Sequence, residues 1–412
     1  MSQALRSGDF DLTFGQGGHV ETTLVTPGMM LLPDQKILIF STLQDGVGMK
    51  VTRLLANGRP DPAFGENGVD VRLPHPFIGR MASFVPMRQS DNKIVVASTL
   101  TISSDISWGL VLRLHPDGRL DDTFGNAGVT VVDVPKGLGD SIRGAMMLPD
   151  DKIALVMECV IAPNNVIEVL VRLAADGTFD YTFGEGGFAY TIADGANFPR
   201  SSLLPDGKIV LAGSASYPDP VKLQAVVAQF LPDGQPDPSF GSEGYAYLDY
   251  QEAFPDFSFW QAAAFAVQPD GRIMLVGTCS DLPAGQFGDS LTWYTRLLPD
   301  GTSDASFNGG ELVFSRAEGV EWFLGSMVVA GDGKVVAAGY TTGKSKAVLE
   351  RLEPNGAADP TFGDGGVVIA ELPSPDGIWV PSTLLAQADG KLLMLAHTFI
   401  YPTPMRLSRV LT

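Results

Sequence analysis

Aspartate is the side chain that recurs most regularly in this sequence, and carboxylates can bind metal ions or transfer protons. Seven Asp residues each stand three positions before a Phe, usually in the phrase Asp-x-x-Phe-Gly. The carboxylates are Asp11, Asp61, Asp121, Asp180, Asp237, Asp304 and Asp359. The rings are Phe14, Phe64, Phe124, Phe183, Phe240, Phe307 and Phe362. A residue type that every repeat contains is normally needed by the repeat itself, so we predict structural roles for both sets rather than a ring of metal-binding or catalytic carboxylates.

A basic or amide side chain stands eight positions before each of six motif aspartates. The pairs are Arg53 and Asp61, Arg113 and Asp121, Arg172 and Asp180, Gln229 and Asp237, Arg296 and Asp304, and Arg351 and Asp359. Arg409 would stand in the same relation to Asp11 if the two ends of the chain meet. The planar guanidinium can bind a carboxylate and nearby carbonyls together. The alternative is that each Asp caps its own turn through backbone amides.

Common catalytic and ligand-binding motifs are absent from the sequence. The four histidines do not pair at metal-ligand spacing, and there is no HExxH, cysteine cluster or phosphate loop. A Gly-x-Ser-x-Gly nucleophile elbow is also missing. The sequence therefore predicts no catalytic residue, no metal site and no cofactor.

The motif returns at intervals of 50 to 67 residues, a period typical of solenoids and propellers. One repeat reads as four short apolar strands, at 69–73, 82–87, 93–98 and 110–114, separated by Gly, Pro, Asp or Asn. The third strand recurs as KILIF, KIVVA, KIALV, KIVLA, RIMLV, KVVAA and KLLML. These runs do not alternate with polar residues, so both of their faces should be buried.

Sheets packed face to face between neighbouring sheets would give this pattern. We predict an all-β fold, a seven-bladed β-propeller with four antiparallel strands per blade. A β-solenoid is the competing architecture, but its rungs are shorter and lack two hairpin turns per repeat.

The repeat resembles the delta-60 repeat of bacterial proteins, on the pattern G-x-x-D-x-x-F-G-x-x-G. Residues 58–68, GRPDPAFGENG, show it well, and the resemblance extends over essentially the whole chain. It implies a β-propeller with no agreed activity, and no catalytic residue can be transferred from it.

The two ends of the chain each carry part of a repeat. Residues 19–24 form a strand without its preceding partners, and residues 405–411 read as a fourth strand without its following turn. We predict that the N-terminal strand pairs with the C-terminal blade and closes the ring, which would remove an exposed sheet edge. Residues 1–412 would then form a single domain.

The two faces of the predicted disc differ in their loops. The repetitive turns share one face, while the connections from first to second and from third to fourth strands vary and share the other. Aromatic side chains with arginines beside them stand just before or in the second strands, where they could bind sugars or planar ligands. This candidate ligand rim consists of Phe198, Trp260, Trp322, Trp379, Arg80, Arg143 and Arg200. The alternative is that the aromatics only seal gaps between blades.

Two functions remain open at this stage. The preferred hypothesis is a non-enzymatic binding or scaffold module that holds a protein or carbohydrate partner on the variable face. The alternative is a propeller hydrolase or lyase with its active site at the channel mouth. The net charge of −19 argues against nucleic acid and anionic membranes as partners, and no apolar run is long enough for membrane insertion.

The compartment and assembly are predicted only from general features. No signal peptide is visible at the N-terminus, and the two cysteines stand in strands two repeats apart, where a disulfide is not expected. We expect a monomer that is cytoplasmic, or exported by a route without an N-terminal signal peptide.

Overall fold

The computed structural model describes the chain in segments. These are residues 6–22, 25–65, 68–74, 79–103, 106–135, 137, 139–162, 165–191, 196–216, 222–250, 252–281, 290–315, 322–341, 346–371, 379–398 and 405–412. The described chain is all-β, with three short 3-10 turns at Pro62–Phe64, Pro149–Asp151 and Asn308–Gly310. It divides into two compact units. One consists of residues 24–211 and 229–237, and the other of residues 1–23, 212–228 and 238–412.

The 24–211 unit contains three four-stranded antiparallel sheets and one further strand. The first sheet has the strands β2 (Val25–Leu31), β3 (Ile37–Thr42), β4 (Met49–Leu54) and β5 (Val69–Val71). The second has β6 (Arg80–Arg88), β7 (Ile94–Thr101), β8 (Ser107–Leu114) and β9 (Val129–Val132). The third has β10 (Gly139–Met147), β11 (Ile153–Ala162), β12 (Asn165–Leu173) and β13 (Phe188–Tyr190), and β14 (Ala196–Leu203) follows.

The 238–412 unit contains three runs of four strands. The second and third runs are separate sheets, whereas the first is joined by one parallel bridge, at Phe259, to the strand that contains Leu223. The first run has β18 (Phe259–Val267), β19 (Ile273–Ser280), β20 (Ser290–Leu297) and β21 (Val313–Ser315). The second has β22 (Trp322–Val329), β23 (Val335–Thr341), β24 (Ala347–Leu352) and β25 (Val367–Ala370). The third has β26 (Val380–Ala386), β27 (Leu392–His397) and β28 (Met405–Val410), together with β1 (His19–Thr22). Strand β17 (Tyr245–Leu248) pairs with β16 (Leu223–Phe230). Strands β15 (Ile209–Ser216) and β16 contribute residues to both units.

Strand β1 is the partner that the incomplete last sheet requires. It pairs antiparallel with β28, with Val20 opposite Leu407. The N-terminal strand therefore completes the sheet formed by the C-terminal segment, as the sequence predicts.

The apolar core lies between neighbouring sheets. The strand that is third in the sequence repeat is second in each sheet. Such a strand, for example β3 or β7, is buried on both faces along almost its whole length. Leu38 and Phe40 of β3 pack in one cluster with Ile94 and Val96 of β7. The unbroken Val, Ile and Leu runs are thus explained by sheets on either side, which is the packing of propeller-like sheets.

Both contacts considered for the motif Asp occur together at Asp121. Its Oδ2 lies 2.8 Å from Arg113 Nε, while Oδ1 accepts hydrogen bonds from the Thr123 amide (3.1 Å) and hydroxyl (2.6 Å). A third partner is Lys93, whose Nζ lies 3.2 Å from Oδ2. The carboxylate therefore pairs with Arg and caps its own turn at once.

Arg113 connects its repeat to the next one. Its guanidinium lies over the Phe124 ring, 4.9 Å from the centroid, and Nη1 donates to the carbonyl of Ala175 at 2.8 Å. The fully buried Phe124 packs under Gly177 of that same following turn, where a Cβ would overlap the ring. We call this set of four residues the fastener. It consists of the motif Asp, the motif Phe, the Arg or Gln eight positions before the Asp, and the Lys or Arg that opens the buried strand.

The same fastener recurs at every motif. The basic residues that open the buried strands and approach the motif carboxylates are Lys36, Lys93, Lys152, Lys208, Arg272, Lys334 and Lys391. Arg409 binds Asp11, the pairing that the sequence predicts between the two chain ends. At Asp237, the arginine is replaced by Gln229, whose Nε2 donates to Oδ2 at 2.8 Å.

These contacts lower the pKa of six fastener carboxylates: Asp11, Asp61, Asp121, Asp180, Asp304 and Asp359. Burial opposes the ionisation of Asp11, but hydrogen bonds from Thr13 together with Lys391 and Arg409 outweigh it and lower its pKa to about 2. Among the described residues, no group of three or more His, Cys, Asp or Glu side chains is placed to hold a metal ion. The motif Asp and Phe residues thus take part in contacts within the fold, and their structural role stays a prediction.

Replacing Asp121 by Asn should destabilise the protein by about 3–5 kcal/mol, because Arg113 would keep its charge in a buried site without a counter-charge. Urea unfolding at neutral pH measures this free energy. Asp237→Asn is the matched control, since its partner Gln229 is neutral and Lys208 can reach water, and it should cost clearly less. Equal costs at the two sites would show that the Arg–Asp charge pair is not the important contact.

Candidate functional site

The structure buries three of the four aromatic residues of the predicted rim. Phe198 and Trp260 are fully buried, and Trp379 is 2% exposed with the Arg406 guanidinium 5.4 Å from its ring centroid. The side chain of Trp322 lies outside the described residues. The three described rings present no face to a ligand, so the proposed aromatic platform is corrected to interior packing for these residues.

The three rim arginines, in contrast, are exposed. They lie on the strands that are second in the sequence repeat and first in each sheet, which we call the first strands. Arg80 begins β6, Arg143 lies in the middle of β10, and Arg200 lies in β14. All three belong to the 24–211 unit. The structure therefore keeps the charged half of the predicted rim accessible.

Each first strand with a described register contains a bulge at a corresponding place. In β10 the register shifts between Ile142 and Gly144, so that Arg143 has no partner on β11. In β6 the shift spans Ala82 to Val85, and the exposed Ser83 takes the left-handed backbone conformation at φ 60°. Bulges redirect side chains and are frequent beside active sites.

Neighbouring first strands approach closely at the bulge. Strands β10 and β14 pack together, and a Cβ on Gly144 would overlap the hydroxyl of Ser201. A larger residue at position 144 would require the Ser201 hydroxyl to move. Since Arg143 precedes Gly144 and Arg200 precedes Ser201, the two arginines flank the point where the strands meet.

Arg143 holds a carboxylate of the neighbouring strand. Its Nε lies 3.1 Å from Glu158 Oε2, and its Nη2 contacts the same oxygen. The Glu158 side chain is 17% exposed, so solvent reaches it. The bulge therefore presents an ion pair with one accessible carboxylate.

A second glutamate stands directly opposite Glu158 in the ladder of β11 and β12. Glu168 is 1% exposed, and its Oε1 accepts a hydrogen bond from the Phe198 amide of β14 at 3.2 Å. Its Oε2 has no hydrogen-bond partner among the residues that the structure describes. Directly opposite residues have Cβ atoms about 4.5–5.5 Å apart, so the two carboxyl groups are neighbours.

The two glutamates differ in their electrostatic surroundings. Burial raises the pKa of Glu168 to about 8, and the Glu158 charge adds to this while Arg143 opposes it. Glu168 is therefore mostly protonated at pH 7, whereas Glu158 contacts the guanidinium. Two carboxyl groups in different protonation states are the arrangement used for general acid and base catalysis.

The sequence analysis missed both glutamates, although the repeats contain a signal for them. The residues four positions before the fastener Arg or Gln are Met49, Gly109, Glu168, Ala225, Thr292, Ala347 and Met405. The residues six positions after the basic residue that opens the buried strand are Thr42, Thr99, Glu158, Ser214, Thr278, Tyr340 and His397. Only one repeat has an acid at either position, and it has an acid at both.

The 238–412 unit contains another buried glutamate with a different environment. Glu350 accepts hydrogen bonds from the Tyr294 hydroxyl (2.7 Å) and the Ser315 hydroxyl (2.6 Å). Both oxygens are thus satisfied, and its surroundings contain no paired acid in the described contacts. Glu350 is therefore a suitable structural comparison for Glu168.

Other reactive groups and cavities do not form an alternative site. Cys159 and Cys279 are free and buried, and burial raises the pKa of each thiol to about 12. Two described cavities, of about 590 and 470 Å³, are lined by repeat turns. Their lining contains no Asp, Glu, His, Lys or Arg. Among the residues described, no helix is long and apolar enough to cross a membrane.

Comparison with protein families supports the repeat. The family model described as "Domain of unknown function (DUF5122) beta-propeller" matches residues 89–124, 204–240 and 327–362. Each matched segment ends at a motif Phe: Phe124, Phe240 or Phe362. Three segments of the chain are therefore similar to this β-propeller family, although delta-60 is not the family that the match identifies. No curated protein matches the chain.

Solved structures with a similar fold include carbohydrate-processing enzymes. The polysaccharide lyase Uly1 superposes with a TM-score of 0.56 at 11% identity, covering 100% of this chain and 94% of that chain. The GH93 α-L-arabinofuranosidase of Fusarium graminearum has a TM-score of 0.45 at 11% identity, with coverages of 95% and 97%. At this identity the likeness to the lyase shows the fold alone, a propeller-like all-β architecture.

The preferred functional hypothesis of the sequence analysis is corrected by this comparison. A non-enzymatic binding or scaffold module was expected, but the structure that superposes with a TM-score of 0.56 is a polysaccharide lyase. The alternative from the sequence, a propeller hydrolase or lyase, is therefore taken up under the proposed function.

The buried Glu168 should make stability depend on pH in an identifiable way. Its pKa is raised from 4.5 to about 8 on folding, so the folded state binds more protons than the unfolded state between these values. This contribution to stability should therefore be complete below about pH 4.5 and be lost as the pH rises toward 8. Urea unfolding at pH 5.5 and pH 8.5 measures the change.

Glu168→Gln should reduce this dependence, because the amide does not titrate. Glu185→Gln, at an exposed position, is the control and should leave the dependence unchanged. A Glu168→Gln protein with the same loss of stability between pH 5.5 and pH 8.5 would contradict a protonated Glu168.

Proposed function

We propose that this chain is a carbohydrate-processing propeller enzyme, a hydrolase or a lyase, with Glu158 as its acid–base residue. The observation that carries the proposal is the pair of facing glutamates beside Arg143, in one repeat only. Glu158 is accessible and can contact a substrate, while Glu168 is enclosed behind it. We assign Glu158 the catalytic role and Glu168 a positioning role.

The chemistry of both reaction classes requires such a residue. In glycoside hydrolysis, a carboxylate takes a proton from water or attacks the anomeric carbon, while an acid protonates the leaving oxygen. In a lyase reaction, a base removes the proton next to the uronate carboxyl group, and the glycosidic C–O bond breaks without the addition of water. An ionised Glu158 could act as the base in either case.

Glu168 would alter the electrostatic surroundings of Glu158. As long as Glu168 is neutral, Arg143 is the nearest charge described beside Glu158, and the two form an ion pair. When Glu168 loses its proton, two negative charges face each other and compete for one guanidinium. The activity should therefore change as the pH passes the pKa of Glu168.

Glu158→Gln should lower kcat by roughly 10²-fold or more, since general acid–base catalysis contributes about 10²–10⁴-fold. Glu168→Gln should retain more activity but lose the change in kcat/KM near pH 8. The assay follows new reducing ends from a panel of polysaccharides, with ¹⁸O water and mass spectrometry to separate hydrolysis from elimination. Glu350→Gln, a buried glutamate outside the site, is the matched control.

The proposal fails if the protein cleaves a polysaccharide and Glu158→Gln retains full activity. It also fails if Glu350→Gln lowers the activity as much as Glu158→Gln while all variants keep the thermal stability of the parent. An unaltered pH profile in Glu168→Gln would remove the positioning role alone.

We also propose the complete architecture that the sequence predicts: seven four-stranded blades in one ring, formed by residues 1–412 as a single domain. The complete four-stranded sheets and the pairing of β1 with β28 support it. We retain as proposals the delta-60 relationship, a monomeric state, and a cytoplasmic location or export without a signal peptide.

Deletion of residues 1–22 should expose the edge of β28 and remove the Asp11 fastener, so the protein should aggregate or lose several degrees in Tm. A synthetic peptide of residues 6–22, added during refolding, should restore Tm and solubility. Size-exclusion chromatography with light scattering and thermal unfolding measure both effects. A monomeric deletion variant with an unchanged Tm would contradict closure by β1.

A further inference from the structure

The charges of the first strands are strongly asymmetric. In β2, β6, β10 and β14, the charged residues are Arg80, Arg88, Arg143, Arg200 and one acid, Asp140. Asp140 is 1% exposed, so the accessible charges on these four strands are all positive. This contrasts with the whole chain, which has a net charge of −19.

Arg88 belongs to a different location from the other three arginines. It ends β6, and its Nη1 donates to Asn92 Oδ1 at 2.8 Å in the following turn. Arg80 lies at the opposite end of β6, where the neighbouring Met81 amide donates to the Gly46 carbonyl at 3.4 Å. Arg80, Arg143 and Arg200 form the set that concerns the glutamate pair, and we call it the arginine track.

Arg143 and Arg200 each directly precede one of the two residues, Gly144 and Ser201, at which β10 and β14 approach each other. Arg200 is exposed to water, yet it is surrounded by enough protein for desolvation to lower the pKa of its guanidinium. An exposed cation among protein atoms is only partly hydrated, so binding an anion costs it less water. This favours Arg200 as an anion-binding group.

Arg80 extends the arginine track beyond the reach of one small ligand. Arg80 lies in β6, four residues before Phe84, and Phe84 is one of the residues at the β6 bulge. Arg143, in contrast, is itself the residue at the β10 bulge. At about 3.3 Å per residue, this separates the levels of Arg80 and Arg143 by about 13 Å along the strand direction. A polymer can contact both levels at the same time.

We infer that the substrate is an anionic polysaccharide, whose acidic groups bind the arginine track of Arg80, Arg143 and Arg200 beside Glu158. This inference rests on the proposed function for its catalytic part. Arginine suits the task because its fork binds carboxylate or sulfate groups through two hydrogen bonds. A neutral polysaccharide has no carboxylate or sulfate group for these guanidinium groups to bind.

The acidic group would also act on the Arg143–Glu158 pair. A carboxylate or sulfate at Arg143 competes with Glu158 for the guanidinium and so frees the Glu158 carboxylate to accept a proton. In a lyase reaction, the proton next to the uronate carboxyl group passes to Glu158 and the C–O bond to the next sugar breaks. The electron pair of the C–H bond becomes the new C=C bond, and the leaving oxygen takes a proton from solvent.

The experiment compares acidic polymers with their neutral forms. The probes are polygalacturonate and alginate, their carboxyl-reduced derivatives, and a sulfated polymer such as carrageenan. Binding is measured by isothermal titration calorimetry, and cleavage by release of reducing ends. We expect the parent protein to bind a carboxylated or sulfated polymer at least 10-fold more tightly than the reduced one, with affinity that falls as salt is added.

Variants of the arginine track identify the residues responsible. Arg200→Gln should raise KM and Kd for the acidic polymer about 10-fold with little change in kcat, and Arg200→Lys should recover part of the loss. Arg80→Gln should weaken binding of long oligosaccharides but not of disaccharides. Arg88→Gln is the matched control, because it removes the same charge from the other end of the same strand.

The two proposals fail in different ways. Tight binding of an acidic polymer that Arg200→Gln weakens, without cleavage of any polymer, would support the arginine track and contradict the enzymatic function. Cleavage of neutral polymers with no effect of Arg200→Gln or Arg80→Gln would support the enzyme and overturn the acidic substrate. Equal binding of acidic and carboxyl-reduced or unsulfated polymers would overturn it as well.

Discussion

The ionised carboxylate of each fastener is the interaction on which the rest of the structure depends. One Asp side chain satisfies its own turn, the Arg or Gln of the preceding strand and the basic residue that opens the buried strand, as at Asp121. The guanidinium of Arg113 then reaches the next turn through the Ala175 carbonyl. A buried charge with this many partners is stable, but removing one partner leaves the others uncompensated. The repeat therefore tolerates little variation at these positions.

The fastener residues lie in the turns and in the other strands, so the sequence of the first strands can vary. Their packing requires close approach at a few points, such as Gly144 against Ser201, and a bulge that turns one side chain outward. The bulge residue itself is not fixed by the fold, since Arg143, Ala263, Gly325 and Ser382 occupy it in different sheets. A functional side chain can occur there without a loss of stability.

The buried carboxyl groups of the protein differ in how completely they are hydrogen-bonded. The fastener residue Asp121 and Glu350 have partners for both oxygens, whereas Glu168 has a described partner for one. In the fasteners, hydrogen bonds and cations outweigh burial and lower the pKa, as for Asp11. At Glu168, one amide hydrogen bond does not outweigh burial, so the pKa is raised to about 8. A neutral, incompletely bonded acid contributes less to stability than a fully bonded carboxylate, so its presence in a single repeat is in keeping with the proposed positioning role.

The sequence by itself determined the repeat, the four short strands within it, the Asp–Arg pairs and the pairing of the two chain ends. Each of these depends on residue spacing or on apolar runs, which the chain displays directly. It did not determine which aromatic rings are buried: Trp260 lies in β18 and Trp379 directly precedes β26, positions that an exposed residue could also occupy, and only packing encloses them. Nor could it assemble Arg143, Glu158 and Glu168, because these stand on three strands. Their charge states arise from burial and from neighbours across the sheet, and both are properties of the tertiary structure.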